Sequence, residues 1–354
     1  MKKHNFSAGP CILPDEVMQQ AARAVEELDG SGLSLIEISH RSAAFIDIME
    51  NACALALELL GLTGKGYKAL FLQGGASSQF IATAYNLLEK KGAYLNTGTW
   101  STKAIKEAKI LGEVIEVASS ADANFNYIPK EYSVPTDADY LHITTNNTIF
   151  GTQIKNIPDT DTVLVSDSSS DIFSRRLDFS KFGILYAGAQ KNMGPAGTTL
   201  VVMREDVLGK VTHSIPSMLD YAIHSSKGSM FNTPPVFAVY TSMLTLEWLK
   251  NLGGIKAIEV ENNTKADLMY GEIDRNPLFK GFAAQEDRST MNATFTLEEA
   301  KLKERFDSMC ADALINGING HRSVGGYRAS MYNALPIASV QTLVDVMKEL
   351  ERTA

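Results

Sequence analysis

One pattern limits the possible folds more than any other: short apolar runs alternate with helical stretches along the first two-thirds of the chain. Lys68–Leu72, Ala93–Asn96, Val114–Val117, Tyr140–Thr144, Thr162–Ser166, Gly183–Ala187 and Thr198–Met203 read as strands. Ser77–Glu89 and Ser101–Leu111 read as helices between them. Runs that are apolar throughout suit strands buried on both faces, and helical crossovers between them demand a parallel sheet. The alternation therefore predicts an α/β fold, a mainly parallel sheet with helices on both sides.

Further helices are expected from Pro14 to Gly30, over Ala43–Leu60, and over Val236–Leu252, which stops at Gly253-Gly254. Beyond lie a helix at Ile255–Ile273, a strand at Met291–Thr296, a helix at Leu297–Ile315, a strand near Tyr327–Met331 and a helix after Pro336. Fewer strands and more helix mark a smaller α+β domain. The expected division is 16–253 for the large domain, with 1–15 and 254–354 forming the small one. A chain of 354 residues accommodates both.

Charge and composition narrow the partners. The net charge of −8 comes without a block of basic residues, which disfavours nucleic acid and anionic membranes. The three cysteines, Cys11, Cys53 and Cys310, are widely spaced and suit a reducing cytoplasm. No run is long and apolar enough to predict a bilayer span, and the scattered six histidines disfavour a zinc site.

The strongest chemical signal is Tyr186-Ala187-Gly188-Ala189-Gln190-Lys191-Asn192-Met193-Gly194-Pro195-Ala196-Gly197. It sets one lysine in a loop of small residues between two strands. An amine held in a nearly uncharged pocket sheds its proton more readily and can attack a carbonyl, the chemistry of a Schiff-base lysine. One strand earlier, Thr162–Ser166 delivers Asp167 to a strand's carboxyl end, where ligands bind in open α/β sheets. A carboxylate there could cap a helix, hold a metal, or pair with a protonated ring nitrogen. Together with Lys191 the third role fits best, because pyridoxal phosphate (PLP) needs an acid partner for its pyridinium.

Other segments at the same edge carry two readings each. Gln73-Gly74-Gly75-Ala76-Ser77-Ser78 is either a phosphate cradle at a helix start or a tight turn with Ser77 as cap. Trp100, in a polar strand-to-helix loop, is either an anchor or a stacking surface for a ring. Thr148, within Thr145–Gly151, offers a donor to a phenolate or phosphate oxygen, or simply lies in a polar turn. Arg328, among glycines and small residues, suits bidentate capture of a carboxylate, whereas Arg322 reads better as a surface ion pair.

With these motifs assembled, the chain resembles the phosphoserine aminotransferases, PLP enzymes of the aspartate-aminotransferase fold type. The likeness runs from Phe6-Ser7-Ala8-Gly9-Pro10 to the last helix, and is most specific in Ala187–Gly197, Gly228–Pro235 and Gly320–Asn333. It implies that Lys191 bonds PLP covalently and later carries a proton, that Asp167 pairs with the pyridinium, and that Trp100 stacks on the ring. Thr148 would contact the phenolic oxygen. Ala76, Ser77 and Gln190 would hold the phosphate, with Asn232 and Thr233 reaching it across a homodimer interface. Arg328 would grip the substrate α-carboxylate, with Ser7 nearby. His40 and Arg41 of the other subunit, with His321, would receive the distal phosphate or carboxylate.

The implied reaction exchanges the amino group between L-glutamate and 3-phosphohydroxypyruvate. It yields O-phospho-L-serine for serine synthesis, and in some members a four-carbon analogue for pyridoxine. Certain relatives carry an arginine in the Gly-rich loop where this chain has Ser77 and Ser78.

Overall fold

A computed structural model describes residues 2–354. Its centre is a seven-stranded sheet: β1 (Tyr67–Leu72), β2 (Lys91–Asn96), β3 (Glu113–Ser119), β4 (Tyr140–Thr144), β5 (Val163–Asp167), β6 (Phe182–Gly188) and β7 (Thr199–Arg204). Their spatial order is β1-β7-β6-β5-β4-β2-β3. The strands β6-β5-β4-β2-β3 pair in parallel, and β7 alone runs antiparallel to its neighbours β1 and β6. This matches the expected doubly wound layer, with one strand reversed.

Successive side chains of a strand face opposite ways, and both faces are apolar here. Phe71, Leu185, Ala187, Leu200 and Val202 join a core with α2 (Ala43–Leu59) and the long helix Val236–Asn251. Leu70, Leu72, Ile184, Tyr186, Val201 and Met203 pack on the other side against α3 (Gly75–Leu87) and α4 (Thr99–Ala108). Truncating a side chain from either layer, as in Leu185→Ala, should cost about 2–5 kcal/mol.

A separate core gathers around Phe6, Met269, Phe295, Phe306 and Met347. It fills the space between helices Gly254–Arg275, Lys303–Asp312 and Ile337–Thr353 and an antiparallel sheet of Phe279–Gly281, Asn292–Leu297 and Tyr327–Ser330. The N-terminal strand His4–Asn5 pairs with Ile315–Asn316, which brings Phe6 into this core from the far end of the sequence. The expected helix over Leu297–Ile315 begins only at Lys303. Leu297 is held in the sheet by pairing with Phe279, and a short 3-10 turn intervenes at Ala300–Leu302. The first helix, α1 (Asp15–Glu26), likewise ends short of Gly30.

The sheet register decides where the chemistry lies. Thr144, Asp167 and Tyr186 sit side by side across β4, β5 and β6. Thr199 at the start of β7 faces both Leu72 and Gly188. The loops after β1, β4, β5 and β6 therefore open at one edge, and the loop from β2 into α4 opens there too. Buried polar contacts stitch the second core to that edge. Asn146 Nδ2 donates to Asn292 Oδ1 at 2.8 Å, and Thr294 Oγ1 donates to the Phe150 carbonyl at 2.9 Å.

Candidate active site

Lys191 leaves β6 in a closed loop, with the Gly194 N–H donating to the Ala189 carbonyl at 2.9 Å. Its amine donates to Thr148 Oγ1 at 2.6 Å and lies 5.7 Å from the Trp100 ring centre. The side chain is half-buried, open to the cleft but otherwise surrounded by protein. Burial lowers its pKa from 10.5 to about 8; the Asp167 charge pulls it back up, and Arg328 pushes it further down. Desolvation wins because no carboxylate forms a close ion pair with the amine among the described residues.

Asp167 is buried at the end of β5 and accepts the Ser169 N–H at 3.0 Å. Burial raises its pKa, against the hydrogen bonds of Ser169 and the charge of Lys191. A buried carboxylate with so little compensation is suited to a cationic N–H donor brought by a ligand.

Local packing explains why Trp100 and Thr148 flank the lysine. A Cβ on Gly98 would lie 2.9 Å from Asn147 Oδ1 and 3.1 Å from the Phe150 ring, so only glycine lets the start of α4 press against the turn that carries Thr148. The Ser101 hydroxyl accepts the N–H groups of Thr97 and Gly98, both at 3.0 Å, and so begins α4 two residues earlier than its pattern suggested. Trp100 is thus in the first turn of a helix, half-buried, with its Nε1 enclosed and unpartnered.

The Gly-rich turn resolves against Ser77 as a cap. Gly74 is the N-cap, with φ of 96° that favours glycine, and no side chain caps the helix. Ser77 is exposed in the first turn beside Ala76, and Ser78 Oγ donates to the Gly74 carbonyl at 3.0 Å. With no side-chain cap, the first N–H groups of α3 form an arrangement suited to an anion. Gln190 folds back against Gly188, at the cleft side of the same edge. Gln73 Nε2 donates to the Thr233 carbonyl, which ties the Asn232-Thr233 segment to this turn.

Arg328 lies on the strand Tyr327–Ser330, half-buried, with its Nε enclosed and unpartnered. Burial lowers its pKa. His321 Nδ1 lies 2.7 Å from Ser323 Oγ, and its pKa is lowered by burial and by Arg328, Arg322 and Lys103. Ser7 is held near Asn5, its N–H donating to Asn5 Oδ1 at 3.1 Å, and has no hydrogen bond to Lys191. His40 lines a groove with Gly197, Thr233 and Phe237, with exposed Arg41 beside it. No hydrogen bond or ion pair among the described residues joins either to Lys191 or Arg328.

Several neighbours carried no sequence signal. Cys11 Sγ donates to the Lys191 carbonyl at 2.5 Å, from a segment 180 residues away. The Tyr332 hydroxyl donates to the Ala8 carbonyl at 2.8 Å beside the same segment. Asp171, four residues past Asp167, accepts from Thr145 Oγ1 at 2.5 Å and pairs with Arg175 at 3.1 Å, so its charge is already answered. Lys103 stands 4.6 Å from the Trp100 ring centre.

The arrangement suits a planar, phosphorylated aldehyde with a basic ring nitrogen. It offers a reactive amine, a buried carboxylate, an indole beside the amine and an open helix N-terminus. The donor set therefore fits PLP.

Residues 3–343 match the Aminotransferase class-V family. Over 353 residues the chain is 64% identical to the phosphoserine aminotransferase of Flavobacterium psychrophilum, covering 99% of each. A solved phosphoserine aminotransferase, studied for radiation damage to its Schiff base, superposes with a TM-score of 0.97 at 42% identity, covering 100% of this chain and 99% of that one. PLP-bound phosphoserine aminotransferase from Trichomonas vaginalis superposes with a TM-score of 0.93 at 36% identity, covering 98% and 100%. This chain belongs to the class-V aminotransferases and, among them, to the phosphoserine aminotransferase family.

Proposed function

We propose that this chain is a PLP-dependent phosphoserine aminotransferase. It moves the amino group of L-glutamate to 3-phosphohydroxypyruvate, releasing 2-oxoglutarate and O-phospho-L-serine, the amino-group step of serine synthesis. The observation that carries the reading is the Lys191 amine, lowered to a pKa of about 8 and held on Thr148 next to Trp100. PLP, when bound, supplies an electron sink that makes the substrate Cα–H acidic. Everything else falls to the protein.

Asp167, as a buried anion, would keep the ring nitrogen protonated. Trp100 would pack against the ring and exclude water from one side, and Thr148 would offer its hydroxyl to the phenolic oxygen. Ala76 and Ser77 at the start of α3, with Gln190, would receive the phosphate, supported by Asn232 and Thr233. Lys191 Nζ would take the proton from the substrate Cα and later give it back. A pKa near 8 suits both halves of that transfer at neutral pH. Arg328, with no carboxylate partner, orients the substrate through its α-carboxylate, near Ser7.

Residues 16–253 are read as the PLP-binding domain, and residues 1–15 with 254–354 as the smaller one; separate hydrophobic cores support the division. A homodimer is supported by the exposed apolar side chains Ile36, Phe231 and Phe237 close to His40 and Thr233. In that assembly His40 and Arg41 serve the partner's cleft, with His321, at the substrate's distal anion. Three free cysteines fit a reducing cytoplasm, and no helix among the described residues is long and apolar enough to cross a membrane.

The test is turnover of glutamate with 3-phosphohydroxypyruvate by the purified protein and by Lys191→Ala. Loss of turnover with an unchanged thermal midpoint is expected. Retained turnover in the variant would overturn the role of Lys191.

A further inference from the structure

We infer that Lys103 is a specificity-determining residue, a further cation that selects substrates with a negative charge at the end remote from the reacting carbon. The inference rests on the reading of phosphoserine and glutamate as substrates. It begins with helix geometry. Trp100 and Lys103 are three residues apart in α4, so they share a face, and helical side chains lean toward the N-terminus. The Lys103 stem therefore runs back over the indole toward the cleft, and its ammonium lies 4.6 Å from the ring centre.

Arg322, Arg328 and Lys103 all lie close enough to His321 for their charges to act on it. None of the four cations has a carboxylate within ion-pair distance among the described residues. They come from different elements: Lys103 from α4, His321 and Arg322 from the loop before the last strand, and Arg328 from that strand. Lys103 is near enough for its charge to help lower the His321 pKa.

Unanswered like charges repel, and in a chain of net charge −8 carboxylates to neutralise them are plentiful. None pairs with these four, which leaves a local positive field that an anionic ligand would relieve. Arg328 is half-buried with its Nε enclosed, whereas Lys103 is exposed. A ligand whose α-carboxylate meets Arg328 thus extends its other end toward His321 and Lys103. The indole fixes the direction of the lysine stem, so part of the ordering is in place before the anion arrives.

The test uses the holoenzyme with Lys103→Met, which keeps the stem and removes the charge, and Lys103→Arg, which restores charge. The ratio of kcat/KM for phosphoserine over alanine should fall roughly tenfold in Lys103→Met, carried by KM, and recover in Lys103→Arg. In NMR titration of the same holoenzyme, the His321 pKa should rise in Lys103→Met. An unchanged ratio, or equal losses for both substrates, would overturn the assignment, as would a His321 pKa indifferent to the substitution. A wild-type protein inert toward phosphoserine would instead refute the substrate reading beneath it.

Discussion

The lowered pKa of Lys191 leads to a measurable reactivity at one position among all the lysines of the chain. At about pH 7.5, an amine with a pKa of about 8 is roughly one-quarter neutral. An ordinary lysine, at 10.5, is neutral in about one molecule per thousand. Lys191 should therefore react with a neutral acylating reagent roughly 200-fold faster than its intrinsic nucleophilicity would give at an ordinary pKa. The assay exposes cofactor-free protein to 4-nitrophenyl acetate across a pH series, then maps acylation at Lys191 by proteolysis and mass spectrometry. The rate should rise with pH and level off with a midpoint near 8. Two substitutions fix the cause. Asp167→Asn removes the charge that favours the ammonium, so the midpoint should fall. Arg328→Met removes a repelling charge, so it should rise. A midpoint near 10.5 would refute the desolvation argument, and one that ignores both substitutions would refute the part given to the two neighbouring charges.

Three further predictions concern other residues. Arg328→Ala should weaken every amino-acid substrate about equally, by roughly tenfold to a hundredfold in kcat/KM, since all share the α-carboxylate. Arg41→Ala should penalise phosphoserine and glutamate well beyond alanine; steady-state kinetics with the three substrates checks both. Lys265 is fully buried, donates to the Tyr332 carbonyl at 2.8 Å, and burial lowers its pKa to about 7. Its folded-state pKa lies below the unfolded value, so the charged form costs stability below about 7, and the cost fades as pH rises toward 10.5. Wild-type stability relative to Lys265→Met should therefore improve by roughly 2 kcal/mol between about pH 6 and pH 9 in urea unfolding. A difference that does not vary with pH would contradict it.

Much of this molecule was legible in the sequence because its chemistry sits at strand ends. An apolar run ending in Asp167, and small residues around Lys191, mark a sheet edge and an amine pocket by local pattern alone. Trp100 was harder: the Ser101 hydroxyl, bonded to two backbone N–H groups, starts the helix earlier than periodicity implies. The strand at Leu297 outlasted its helical pattern because pairing with Phe279 outweighs propensity. Cys11 and Tyr332 come to the Lys191 segment through contacts between the chain's two ends, which no window of residues encodes. The grouping of Lys103 with His321 needs α4 and a distant loop to meet across the cleft. His40 and Arg41 stand out locally as a cationic pair, but among the described residues no hydrogen bond or ion pair ties them to Lys191 or Arg328, and the family resemblance assigns them to the partner's cleft.

This cleft is proposed to transfer an amino group to and from a phosphorylated substrate at Lys191. Visible absorbance of the PLP-loaded protein, before and after O-phospho-L-serine and then after 2-oxoglutarate, tests it. A yellow band should disappear with phosphoserine and return with 2-oxoglutarate. A band unmoved by phosphoserine but discharged by alanine would keep the lysine chemistry and contradict the substrate.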